Sequence, residues 1–161
     1  MTDRRSLLTA LGAGVAGLAF WSTRERPAEA AERFPVQHSD AEWHKLLPPA
    51  AYDVLRHEGT ERPFTSPLNN EHRAGTFHCR GCGQALYSSK TKFDSGTGWP
   101  SFWAPLNNAV ATKTDGSLFM SRTEVHCARC GGHQGHVFND GPRPTGKRYC
   151  MNGVSMSFKP A

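Results

Sequence analysis

Four of the five cysteines fall in two copies of one short pattern, CRGCG at 79–83 and CARCG at 127–131, and this pair constrains the fold more than any other feature. In each copy a tight turn aims two sulfurs at a common point, and the closing glycine takes a backbone conformation that a side chain resists. Together Cys79, Cys82, Cys127 and Cys130 make a four-thiolate set for one zinc ion. A closed shell of four sulfurs has no open position for water, so the ion is expected to hold structure and leave chemistry to other groups. The 44 residues between the pairs exceed a zinc-ribbon loop, so the metal would tie distant parts of one domain together. Two disulfides or a redox C-x-x-C is the rival reading.

Cys150 is then the one thiol outside the set. In an extended RYCMN segment (148–152), Arg148, Cys150 and Asn152 share a face, and a guanidinium beside a thiol favours the thiolate that attacks. Upstream, GGHQGHVFNDGP (131–142) places His133 and His136 among glycines, which implies a loop entering a strand and makes both imidazoles candidate proton carriers. Blander readings stand beside these. An isolated cysteine is often a small buried hydrophobe, a histidine beside a C-x-x-C is often a metal ligand, and Trp99 and Phe102 in SGTGWPSFW (95–103) could be plain core.

The rest of the chain sets the frame. A length of 161 residues suits one domain, and 16 glycines with 11 prolines describe short elements broken by turns. A net charge of +5 is spread without a basic run, which gives no reason to propose nucleic acid. Residues 1–30 read as an export signal: Arg4 and Arg5 adjacent, an apolar stretch from Leu7 to Trp21, and small residues at Ala28 and Ala30 that suit cleavage before Ala31. The adjacent arginines point to the twin-arginine route and a periplasmic or otherwise exported domain over 31–161, with an uncleaved membrane anchor as the alternative. Ser39 and Glu42 fit a capping box ahead of a short helix with Trp43, Leu46 and Leu47 inward, and Ala50–Leu55 fits a second with Tyr52 and Leu55 inward. Strands are expected at 76–79, 85–87, 117–124, 135–138, 148–152 and 154–158, giving an α+β, mainly β domain.

CRGCG, KFDSGTGWPSFW (92–103), CARCGGHQGHVFNDGP and TGKRYCMN (145–152), in that order, resemble the methionine-R-sulfoxide reductases of the B type over about residues 38–159. The resemblance implies two antiparallel β-sheets with short N-terminal helices, a structural zinc opposite the active site, and reduction of the R epimer of methionine sulfoxide in oxidised proteins or peptides. Carried over position by position, it makes Cys150 the nucleophile that becomes a sulfenic acid. His136 first and His133 second would be its acid, with Asn152 completing the polar wall. Trp99 becomes the wall for the substrate methyl, with Phe102, Arg148 and Asp140 on the substrate and supporting side. The implied reductant is a thioredoxin-like protein or a small thiol, and the implied state a monomer, free of the membrane once the signal is removed. Three positions depart from the family: Thr97 stands where many members have a resolving cysteine, Gln134 where leucine is usual, and Asn139 where proline or aspartate is common. The rival functions are a thiol peroxidase or cysteine hydrolase using Cys150 with His136, and a non-enzymatic zinc-knuckle binding module.

Overall fold

The computed structural model describes residues 33–116 and 121–161, so the expected export signal over residues 1–30 and residues 117–120 of the expected 117–124 strand lie outside the described residues. α1 (Asp40–Leu46) begins on the expected capping box: Ser39 Oγ accepts from the Glu42 amide, and the Glu42 carboxylate accepts from the Ser39 amide at 2.8 Å. Its buried face is Trp43 and Leu47, whereas Leu46, expected inward, is 59% exposed. Leu47 lies just past the helix in extended backbone, φ −113° and ψ 138°, so the turn out of α1, and not helical periodicity, carries Leu47 inward and leaves Leu46 outside. Pro48 and Pro49 do end α1, but Pro49 also starts α2 (Pro49–His57), where its missing amide costs nothing at the first turn. Ala51, Tyr52, Val54 and Leu55 face inward, and the helix ends at Glu58 in the left-handed conformation, φ 58°.

Two antiparallel sheets follow. β1 (Gly75–Cys79) lies between β2 (Ala85–Ser88) and β9 (Met156–Pro160). The second sheet runs in the order β3 (Lys92–Phe93), β4 (Ser101–Phe102), β8 (Arg148–Met151), β7 (His133–Phe138), β6 (Arg122–Cys127), β5 (Val110–Asp115). This is the mainly β, two-sheet fold that the resemblance implied. A turn at Gly153–Ser155 carries the chain from β8 in one sheet to β9 in the other. Between the sheets Phe102 stacks on Tyr87 at 4.3 Å and meets Phe77 edge-on at 4.9 Å, and the Tyr87 hydroxyl donates to Met151 Sδ at 3.1 Å. Each such aromatic, fully buried, contributes about 2 kcal/mol of apolar burial.

β3, β4 and β5 were not expected from the sequence. β3 and β4 are two residues each, below what alternation can signal, and the Val110–Asp115 segment, VATKTD, is mostly exposed and polar.

Candidate active site and thiolate cluster

The register of the second sheet builds the site. Ser101 pairs with Cys150, Cys150 with His136, His136 with Glu124, and Glu124 with Lys113, so these five side chains stand in one row across β4, β8, β7, β6 and β5. The neighbouring row, offset by one residue, is Phe102, Tyr149, Val137, Thr123 and Thr114, and it points to the opposite face. Phe102, expected on the substrate side, therefore belongs to the core with no exposure, against Tyr87 and Phe77. The fixed period of two leaves it no route to the Cys150 face.

His133 and His136 lie within β7 itself, not on a loop before it. Three residues apart on a regular strand, they would face opposite ways. A bulge changes this: His126 pairs with His133 and Val125 with Gly135, so Gln134 is the extra residue and both histidines come to the same face. Their ring centroids are 5.4 Å apart. Gly135 at the bulge has φ 153° and no room for a Cβ, which would meet the Cys150 carbonyl.

A cavity of about 120 Å³ opens beside Cys150, lined among others by Trp99, Arg122, His136, Phe138 and Asn152. Trp99 Nε1 donates to the Glu61 carbonyl at 3.1 Å, which fixes the indole, and the Glu61 amide donates to Asn152 Oδ1 at 3.0 Å. Asn152 Nδ2 donates to the Gln134 carbonyl at 3.2 Å. The Glu61 carboxylate accepts the Gly153 and Val154 amides; burial raises its pKa against those bonds. Arg148 makes a two-pronged pair with Asp140 at 2.9 and 2.8 Å, sits 4.4 Å over the Phe138 ring, and faces the Cys150 sulfur. That pairing raises the Arg148 pKa and lowers that of Asp140. Neither Arg148 nor Asp140 is among the residues lining the cavity; Arg148 meets it through Phe138, which does line it.

The two histidines differ. His136 lines the cavity, its Nε2 is 2.9 Å from Asp115 Oδ2, and the same oxygen accepts from Arg122 at 2.8 Å. A carboxylate is an acceptor, so Nε2 carries the ring proton and Nδ1 is the basic nitrogen. Burial, only partly offset by Asp115, holds the His136 pKa below its usual 6.5. His133 is buried behind it and bonds Glu124 Oε1 through Nδ1 at 2.7 Å. Burial pushes the Glu124 pKa up, but the bonds to His133 and Lys113 outweigh it and hold the carboxylate below its usual range. Thr97 Oγ1 is 3.7 Å from Cys150 Sγ and 2.8 Å from Ser95 Oγ, which is itself 2.8 Å from Ser101 Oγ. Glu61, Asp115, Arg122, Glu124 and Phe138 were not singled out from the sequence; period-two alternation through Arg122 and Glu124 was the available signal for those two.

The four knuckle cysteines come together. Their sulfurs lie within 4.8 Å of one another, with Cys79–Cys130 at 3.7 Å and Cys82–Cys127 at 3.5 Å. A tetrahedral ion with bonds of about 2.3 Å holds its sulfurs roughly 3.8 Å apart, so the cluster fits a metal, whereas a disulfide needs about 2.05 Å. All five cysteines are free thiols, which removes the disulfide reading. Neighbouring sulfurs push the Cys79 and Cys130 thiols up and hold those of Cys82 and Cys127 down, the mark of four thiols titrating as one set. Gln134 joins the two sites. Its side-chain amide donates to Cys79 Sγ at 3.4 Å, its Oε1 accepts from Ser155 Oγ at 2.8 Å, and its carbonyl accepts from the Asn152 amide at 2.7 Å.

The profile of the SelR domain matches residues 47–160. The chain is also similar to a peptide methionine sulfoxide reductase MsrB of Methanosarcina barkeri, 56% identical over 77% of this chain and 88% of the relative. This chain belongs to the B-type methionine-R-sulfoxide reductases. Proteins of the same description from Pseudomonas putida, 57% identical over 74% of this chain and 90% of the relative, and Leptospira interrogans, 51% over 78% and 97%, cover a comparable span. Membership favours neither the thiol peroxidase or hydrolase nor the zinc-knuckle binding module.

Proposed function

We propose that this chain reduces the R epimer of methionine sulfoxide in proteins to methionine, with Cys150 as the group that takes the oxygen. The observation that carries the reading is the cavity in which Cys150 and its cross-strand partner His136 meet Trp99, an apolar wall suited to the substrate methyl, together with the polar Asn152 and Arg122. His136 is neutral at rest because burial lowers its pKa, so its Nδ1 takes the Cys150 thiol proton. The imidazolium so formed is stabilised by Asp115 and returns that proton to the sulfoxide oxygen as the thiolate attacks sulfur. In the balance, the oxygen moves from substrate sulfur to Cys150, the sulfoxide is reduced to methionine, and the thiol is oxidised to a sulfenic acid. His133, held by Glu124, sets the position of His136; Arg148, held by Asp140, sets a fixed positive charge beside the sulfur.

Recycling needs an outside thiol. Position 97 reaches Cys150, but a threonine cannot form an internal disulfide with it, so one external thiol condenses with the sulfenic acid to a mixed disulfide, releasing water, and a second frees Cys150 and leaves with the first as a disulfide. A thioredoxin-like protein or a small thiol fits that role, and Thr97→Cys is expected to convert the oxidised state into a 97–150 disulfide. The ion held by Cys79, Cys82, Cys127 and Cys130 is assigned as zinc, since four thiolates in a closed tetrahedron suit it, and its part is structural. Export by the twin-arginine route rests on residues 4–30 alone, and N-terminal sequencing of the mature protein tests it. The reaction is tested by supplying both epimers of a peptide methionine sulfoxide with dithiothreitol: the R epimer is consumed, and turnover confined to the S epimer would sink the assignment.

A further inference from the structure

Trp99 borders two cavities, the one holding Cys150 and a second of about 190 Å³ whose walls include Phe64, Phe93, His72 and Lys92. The second runs into a third of about 200 Å³, sharing His72, Lys92, Phe93 and Asp94. The three share walls in that order, and the second and third make a groove that meets the Cys150 cavity only at Trp99. At its edge stands Phe64, 73% exposed, the most exposed large apolar side chain among the described residues. Its backbone is left-handed at φ 65°, where a bulky residue is an outlier. The conformation is held: the Phe64 amide donates to the Gly98 carbonyl at 2.7 Å, Asn69 Nδ2 donates to the same oxygen at 3.0 Å, and a Cβ at Gly98 would strike the Phe64 nitrogen at 2.8 Å. An aromatic ring kept in water, in a costly conformation and next to the wall of a reactive cavity, points to a ligand.

The walls indicate which one. Lys92 Nζ is tied to the Asn69 carbonyl at 2.7 Å, the Asp94 carboxylate accepts the Gly96 amide at 2.9 Å, and the Glu71 carboxylate, also on the wall of the third cavity, is paired with Arg73 at 2.6 Å, so the charges along the groove are anchored and compensated. That balance suits an uncharged chain better than an anion. A methionine sulfoxide within a protein is continuous with its neighbours, which must leave the Cys150 cavity along some wall.

We propose that this groove is the subsite for the polypeptide segment flanking the oxidised methionine, with a bulky apolar side chain next to the sulfoxide packed against Phe64. It rests on the reductase reading of the Cys150 cavity. The test compares three R-sulfoxide substrates: a blocked single residue, N-acetyl-methionine sulfoxide amide, and two pentapeptides with Phe or Gly beside the sulfoxide. Wild type is expected to favour the Phe peptide over the Gly peptide about fivefold in kcat/KM, through KM, the scale of one aromatic contact. Phe64→Gly should erase that preference, leave the blocked residue's kinetics unchanged, and keep or raise the melting temperature, since glycine accepts φ 65° freely. Calorimetry on the Cys150→Ser variant should show the same loss of Phe-peptide affinity when Phe64→Gly is added. A preference that survives Phe64→Gly, or equal losses for peptide and blocked residue, overturns the subsite. So does a peptide with Glu at that position binding best through Lys92. Absence of turnover on all three substrates by wild type would instead overturn the reductase reading.

Discussion

The thiolate cluster and the Cys150 face are built by different means. In the cluster each pair of ligands sits on one tight turn, so two short repeats specify nearly all of the geometry. The Cys150 face draws side chains from five strands, and its arrangement depends on register and on one bulge at Gln134. A site of the first kind is local and carries the fold; one of the second kind is assembled by the fold and is lost with it. Removal of the ion should therefore destroy both regions, while changes on the face should leave the cluster whole.

The largest effect expected is from metal removal. A four-thiolate zinc contributes on the order of 10 kcal/mol, more than the core of a chain this size can replace, so chelation with thiols kept reduced should unfold the domain. Metal content and melting temperature measured together decide it; a metal-free protein that melts like the native one breaks the comparison. Next, Cys150→Ser should abolish turnover with metal content and melting temperature unchanged. His136→Ala should follow, lowering kcat by ~10²-fold, the usual scale for a proton carrier.

Gln134 sharpens the contrast because it belongs to both regions. Gln134→Leu deletes the bonds to Cys79 and Ser155 while keeping an apolar bulk in a fully buried place. We expect a loss of about 1 kcal/mol and faster surrender of the metal to a chelator, with the reaction little changed. A large fall in kcat at full metal content would mean that the bulge geometry depends on this side chain.

The smallest effect concerns pH. The His136 pKa is depressed, so the unfolded chain binds the proton more readily, and stability rises with pH from the folded pKa up to 6.5, then levels off. The contribution is present above 6.5 and lost as pH falls through the folded pKa. Melting curves between pH 5 and 7.5 for wild type and His136→Asn should show a shallower slope in the variant.

What the sequence made legible follows the same division. The cysteine knuckles, the Ser39–Glu42 cap and the shared face of Arg148 and Cys150 are short-range features written within a few residues. The same-face placement of His133 and His136 was not readable, because it depends on a register shift against β6, and that is a property of the pairing. Phe102 misled for a related reason: it is adjacent to Ser101, which faces Cys150, and adjacency on a strand means the opposite side. Glu61 carried no signal at all, since its role comes from meeting Asn152 and Gly153 some ninety residues later.

In the proposed reaction Cys150 takes the oxygen while the four knuckle cysteines stay on the metal. A single turnover without reductant, read by methionine release and by peptide mapping of oxidised sulfur, tests it most directly. About one methionine per chain is expected, with one added oxygen on Cys150 that a sulfenic-acid trap captures and no metal released. Methionine formed with Cys150 unmodified, or a disulfide joining Cys150 to Cys79, Cys82, Cys127 or Cys130 with the metal still bound, would contradict it.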